Sequence, residues 1–281
     1  MAGSPTLRRR RLSAELLRLR EAAGITATAA AKRLDWHPSK LTRMERNEWR
    51  RPLPRDVVDL LDLYGITDEG RRERLVTLAK EGRQRGWWHP YEAELSDQYT
   101  TYIGLEAEAA SVLSFEALMV PGLVQTDDYA REVMRSGQAE IADDEVERRV
   151  ELRLARQRVL TRDDPLRLSV VFDEAVLHRV VGSPEIMRVQ FRHLLEMAKH
   201  PRVTLQAIPF TAGAHPGVLG PFAILRFADP ADPEAVYVEN LAGELFVEEP
   251  VEVERFQIAF QRLVAVALSP KDTIKLIADK L

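Results

Sequence analysis

The most constraining feature of this chain is the stretch Gly24–Asn47, GITATAAAKRLDWHPSKLTRMERN, where the markers of two short helices stand only a few residues apart. Before it, Leu12, Leu16, Leu19 and Ala23 recur at the spacing of one helical face, and Gly24 is placed to end that helix as a C-cap. Thr26 suits the N-cap of a short alanine-rich helix reaching Leu34. Proline is tolerated in the first turn of a helix and little further in, so another helix is predicted to begin at Pro38, with His37 just outside it. In that helix Leu41 and Met44 fall on a buried face, and Ser39, Lys40 and Arg43 point away from it. The loop WRRPLPR (49–55) follows, then helices predicted over Arg55–Tyr64, closed by Gly65, and over 68–85.

Two helices joined by a tight turn and braced by a third follow the helix-turn-helix plan, in which the second helix of the pair offers its N-terminal residues to base edges in the major groove. Those residues here are Ser39, Lys40 and Arg43. Arginine and lysine can donate to O6 and N7 of guanine, and serine can pair with several bases. The helix opened by Thr26 has free N–H groups that can take a backbone phosphate. Arg46, Arg50 and Arg51 lie where the chain would leave the groove, placed to neutralise phosphates without reading sequence. The plainer alternative for Ser39, Lys40 and Arg43 is a solvated helix face. The arginine run 8–11 is either an arm along DNA or a disordered, solubilising tail.

Charge points the same way. The formal net charge of −4 divides unequally: residues 1–86 carry 20 Lys+Arg against 12 Asp+Glu, and residues 87–281 carry 20 against 32. A basic head on an acidic body suggests that only the head faces a polyanion.

The Gly24–Asn47 stretch resembles the Xre family, the class of lambda repressor and Cro, with a likeness that covers roughly residues 12–65. It rests on the small Ala31 inside the first helix of the pair, on Leu41 as the apolar plug, and on the ending Arg43-Met44-Glu45-Arg46. The resemblance implies a sequence-specific regulator binding double-stranded DNA as a homodimer, on an inverted repeat with half-sites about one helical turn apart. It also implies an ion pair between Arg20 and Glu45 that braces the motif rather than touching DNA. Ala27 and Pro38 depart from the family pattern, so no DNA contact is assigned to either.

The run GRQRGWWHP (82–90) reads as a boundary, giving a helix-turn-helix domain over 1–85 and a second domain over 86–281. In the second, helices are predicted at about 104–116, 127–136, 143–162, 174–181, 185–199, 251–268 and 271–280. Apolar, β-branched runs at Leu166–Phe172, Val203–Ile208, Phe222–Phe227 and Val236–Leu241 read as strands. The expected fold class is therefore an all-α head followed by a mixed α/β body. Leu105–Met134, and above all PGLVQTDDYAR (121–131), resembles the C-terminal domain of the WhiJ-type regulators of actinomycetes. That likeness implies control by a small partner protein, in the manner of an antitoxin; a small-molecule effector held by the body is the other form such control could take. On physical grounds Pro121-Gly122 makes a turn, Thr126 caps a helix and Tyr129 packs inward, so the stretch is either architectural or a surface for a partner or ligand. The loop GAHPGVLGPF (213–222) lacks the lysine of a phosphate-binding loop, and Gly213, His215 and Gly217 belong either to a mobile sensing loop or to a plain strand connection.

Other classes are disfavoured. The chain has no cysteine, which removes disulfides, thiol nucleophiles and cysteine zinc sites. His193 and His200 are seven apart, too wide for one ion, and no nucleophile elbow surrounds Ser183. No cofactor, metal or catalytic activity is expected. The longest apolar runs, such as 263–268, fall far short of the roughly 20 residues a spanning helix needs, and cytoplasmic residence is the expectation.

Overall fold

A computed structural model of the chain describes residues 4–49, 51–137, 141–230 and 232–281. The chain divides into two compact units, Met1–His89 and Pro90–Leu281.

The first unit is all helical: α1 (Pro5–Ala22), α2 (Ala27–Arg33), α3 (Pro38–Glu45), α4 (Pro54–Leu63) and α5 (Glu69–Glu81). Leu12, Leu16 and Leu19 of α1 meet Leu41 and Met44 of α3, Val57, Leu60 and Leu61 of α4, and Leu75 of α5 in one buried cluster. Each such side chain contributes roughly 1.5–3 kcal/mol when removed from water. The arginine run belongs to α1 and is neither an arm nor a tail. Ser4 caps the helix by accepting from the Thr6 N–H, and Pro5 occupies its first turn, where no partner for an N–H is needed. Arg8 pairs with Glu81, Arg9 donates to the Gly82 carbonyl at 3.0 Å, and Arg10 is buried. Ala23 is exposed and caps α1 rather than extending its apolar face.

The second unit is built on six strands: β1 (Ser111–Glu116), β2 (Arg167–Asp173), β3 (Val203–Ile208), β4 (Phe222–Arg226), β5 (Ala235–Asn240) and β6 (Gly243–Val247). Their order is β3-β2-β1-β4-β5-β6. β1, β2 and β3 run parallel; β4 turns antiparallel against β1, and β5 and β6 continue antiparallel. The helices are α6 (Asp97–Glu106), α7 (Asp127–Gly137), α8 (Asp143–Arg156), α9 (Ala175–His178), α10 (Pro184–Met197), α11 (Pro250–Val266) and α12 (Pro270–Ala278).

Strand alternation gives the sheet two buried faces. Phe115, Val171, Ile208, Phe222, Ile224 and Val236 point to one face and pack against Val253, Phe260 and Leu263 of α11. On the other face Tyr237 stacks on Tyr102 of α6 with ring centroids 4.2 Å apart. There Arg156, the last residue of α8, makes a bidentate pair with Glu106, its Nε and Nη2 donating at 2.8 and 2.7 Å. Both side chains are almost wholly buried, and the guanidinium also donates to the Tyr99 hydroxyl.

Several expected elements differ. The helix predicted over 104–116 ends at Glu106, and 111–116 is the central strand β1. The segment 143–162 is helical to Arg156 and tightens into a 3₁₀ turn over Gln157–Leu160. The helix at 174–181 is one turn only, and β6 was not predicted at all. The PGLVQTDDYAR stretch satisfies its own polar groups in the interior. The Val120 N–H donates to the Tyr129 hydroxyl at 3.1 Å, the Gln125 amide to the Val120 carbonyl at 2.6 Å, and the Thr126 N–H to Gln190 at 2.7 Å.

Candidate nucleic-acid interface

The pair α2 and α3 is set by its turn. After α2, Asp35 adopts a left-handed conformation with φ 55°, which aspartate tolerates better than most side chains, and the chain reverses into Trp36-His37. Thr26 caps α2 through its hydroxyl, which accepts from the Ala29 N–H at 3.2 Å. His37 caps α3: its Nδ1 accepts from the Ser39 N–H at 3.3 Å and lies 2.7 Å from the Ser39 hydroxyl. Asn47, with φ 57°, turns the chain out of α3.

Arg20 and Glu45 join α1 to the end of α3. Arg20 Nε donates to Glu45 Oε1 at 2.7 Å and Nη2 to Oε2 at 3.1 Å, while Nη1 donates to the Ile25 carbonyl at 2.8 Å. One guanidinium thus ties together α1, the loop before α2, and α3. The hydrogen bond to Glu45 raises the Arg20 pKa above its ordinary value. The Tyr64 hydroxyl beside this pair is pushed up by burial and then by the Glu45 charge, so it stays protonated.

The three residues predicted to read bases stand in different situations. Arg43 is exposed in the last turn of α3 and makes no side-chain hydrogen bond or ion pair among the described residues. Ser39 is exposed but its hydroxyl is engaged by His37. Lys40 turns back: its Nζ lies 2.8 Å from Asp56 Oδ1 on α4 and 3.8 Å from the centre of the Trp36 ring. A base contact by Lys40 requires that it leave both. Of the residues predicted to hold phosphate, Thr26, Arg46 and Arg51 are exposed, the two arginines without a partner among the described residues. Arg50 lies outside the described residues.

Trp36 and Asp56 were not singled out from the sequence. Trp36 stands four residues before Lys40, a spacing that could have suggested a cation over a ring. Nothing local marks Asp56, which only the packing of α4 brings to α3.

In the second unit the loop 213–222, read from sequence as either a sensing loop or a plain strand connection, is tied down by hydrogen bonds. His215 Nδ1 accepts from the Gly217 N–H at 3.2 Å, which leaves its Nε2 to donate to Asp173 Oδ2, also at 3.2 Å. Gly217 lies against the ring of Phe115, so close that a Cβ there would fall 2.1 Å from Phe115 Cζ. Gly213 has a positive φ of 67°. Among the described residues no group of three or more His, Cys, Asp and Glu could hold a metal, and no helix is long and apolar enough to cross a membrane.

Comparison with known proteins adds two matches. Residues 11–75 match a family model described as a helix-turn-helix domain, a span that runs from within α1 through α2, α3 and α4 into α5. With it comes a DNA-binding, regulatory function in general. Residues 99–279 match the model described as Domain of unknown function (DUF5753). No curated protein matches the chain, and no solved structure does. The second match spans more than half of the sequence and nearly all of the α/β unit, and the chain therefore belongs to the DUF5753 family, with a helix-turn-helix domain ahead of the family's own.

Proposed function

We propose that the chain is a sequence-specific transcriptional regulator of the Xre type, acting in the cytoplasm as a homodimer on an inverted-repeat operator and controlled through its C-terminal domain. One observation carries this reading: α3 is tied to α1 by the Arg20–Glu45 pair and presents Arg43, then Arg46, exposed and without a partner among the described residues. A bare arginine on a braced helix loses little freedom on docking in the major groove, where it can take guanine O6 and N7. Ser39 and Lys40 join it once DNA displaces their present partners. Thr26, Arg46, Arg50 and Arg51 supply the phosphate contacts that fix register.

A second reading, drawn from the WhiJ-type likeness, makes the body an antitoxin-like holder of a small basic partner, with DNA binding serving autoregulation. The acidic balance of residues 87–281 favours it, and the two readings are compatible. The deciding experiment is affinity selection of fragmented host genomic DNA on the purified protein at near-physiological salt, followed by sequencing. A few enriched sites sharing an inverted repeat are expected. A featureless selection refutes sequence-specific binding by the chain alone and leaves the partner-dependent reading.

A further inference from the structure

The α/β unit holds a cavity of about 290 Å³ between α8, the start of α6 and the β5–β6 hairpin. One wall is cationic. Arg149 and Arg153 are one helical turn apart on α8, and both line the cavity. Arg153 Nη1 donates to the neutral Gln125 side chain at 2.8 Å, and among the described residues no carboxylate lies within ion-pair distance of it. Arg149 pairs with Glu145 through Nη2 at 2.6 Å. The Nε of each arginine is buried and has no hydrogen-bond partner. Both guanidinium groups thus keep hydrogen-bonding capacity that the protein does not use, and a carboxylate is the acceptor that suits a guanidinium best.

The facing wall is anionic. Glu239 of β5 and Glu244 of β6 are direct cross-strand partners, and both line the cavity. Like charges in that position oppose strand pairing. Ser96 donates to Glu244 at 2.7 Å and Tyr237 to Glu239 at 3.4 Å, but no cation among the described residues pairs with either carboxylate. Leu95, Tyr99, Met134 and Leu152 complete the lining and are largely apolar.

A simple anion would satisfy the arginines and leave the glutamates opposed; a simple cation would do the reverse. The volume is at the small end of ligand pockets, which run from about 300 to 1,000 Å³, and suits a ligand of amino-acid or dipeptide size. We propose that this cavity binds a small zwitterion of the amino-acid or dipeptide class with an apolar side chain, its carboxylate on Arg153 and Arg149 and its ammonium between Glu239 and Glu244.

The test is titration calorimetry on the full chain, without DNA, using the free apolar amino acids and their homodipeptides. For each binder the N-acetyl and C-amide forms are titrated beside it. At least one zwitterion is expected to bind saturably with one site per chain. Capping either end is expected to weaken it about ten- to a hundredfold, the scale of a lost charge-assisted hydrogen bond. Arg153→Gln and Glu239→Gln should each weaken it to a similar degree. Glu239 is exposed at the rim, so its variant tests the site without disturbing the core. No saturable binding by any member of the set overturns the proposal. So does a capped form that binds as tightly as its parent, or unchanged affinity in both variants. Because no DNA is present, failure here leaves the regulator reading untouched, and a featureless genomic selection leaves this site standing.

Discussion

Replacing Glu106 by glutamine is the sharpest test of how the α/β unit is held together. Glu106 is 1% exposed and its partner Arg156 5%, so water cannot replace what one loses from the other. Two unit charges about 4 Å apart attract by about 4 kcal/mol at an effective dielectric of about 20, and burying each ion costs several kcal/mol. The intact pair is therefore close to neutral against an apolar pair of the same volume. Glu106→Gln keeps the shape but strands the guanidinium between Tyr99 and Tyr102, whose ring centres lie 5.4 and 5.1 Å away. Removing one partner of such a pair costs about 3–5 kcal/mol, worth roughly 10 °C in the melting of a unit this size. The double variant Glu106→Leu/Arg156→Met should return to within about 2 kcal/mol of the parent. Far-UV circular dichroism in a urea titration is the assay. Tryptophan fluorescence is the poorer choice, because Trp36, Trp49, Trp87 and Trp88 all belong to the first unit. A single variant as stable as the parent, or a double variant no better than the single, refutes the reasoning.

Four further outcomes are expected. In binding assays on selected operator DNA, Arg43→Ala should cost about 1–3 kcal/mol and relax preference at one base pair, whereas Arg51→Ala should weaken all sequences alike and flatten the salt dependence by about one unit. Asp56→Asn should release Lys40 and tighten operator binding severalfold while Lys40→Ala weakens it; if both leave affinity unchanged, Lys40 is structural only. Gly217→Ala drives a methyl into Phe115 and should destabilise the unit by about 2–3 kcal/mol in thermal melting, against roughly 1 kcal/mol for Gly213→Ala, which has open space but a positive φ. Burial, aided by the Glu239 charge, pushes Glu116 up to about 8 from 4.5. The unfolded chain releases that proton near pH 4.5 and the folded one retains it to about pH 8, so stability should fall as pH rises between those values. Glu116→Gln should flatten that slope in urea titrations from pH 5 to 8.5, and an unchanged slope would show that the group is not held neutral.

The head was legible because each of its boundaries is a local event. Gly24, Thr26, Pro38 and Gly65 act within a turn of where they stand, and Leu41 and Met44 need only helical periodicity to face inward. The body was less so, for reasons β1 makes plain. SVLSFE follows LEAEAA, a run that favours helix, with neither proline nor glycine between them to announce the change. What makes 111–116 a strand is pairing with β2 and β4, which are distant in sequence. β6 is short and carries Glu244 at its start, so its alternation is hidden. Within the candidate interface the exposed arginines could be named in advance, but Lys40's tie to Asp56 is a contact between helices, and no spacing encodes it. The cavity lay beyond sequence altogether, since only the fold brings Arg153 of α8 to the same lining as Glu239 and Glu244 of the hairpin.

The central place of β1 has a consequence for how the chain is made. Its register sets Ser111 opposite Arg226, so the middle of the sheet stays open until more than a hundred further residues have been synthesised. At about 5–20 residues per second that is a wait on the order of 5 to 20 s, long beside the folding time of a small helical domain with mostly local contacts. The helical unit is therefore finished while the sheet still lacks half its strands. Until β4 is made, the edge of β1 that pairs with it has no partner, and that is the point in the life of this chain at which a chaperone has most to protect.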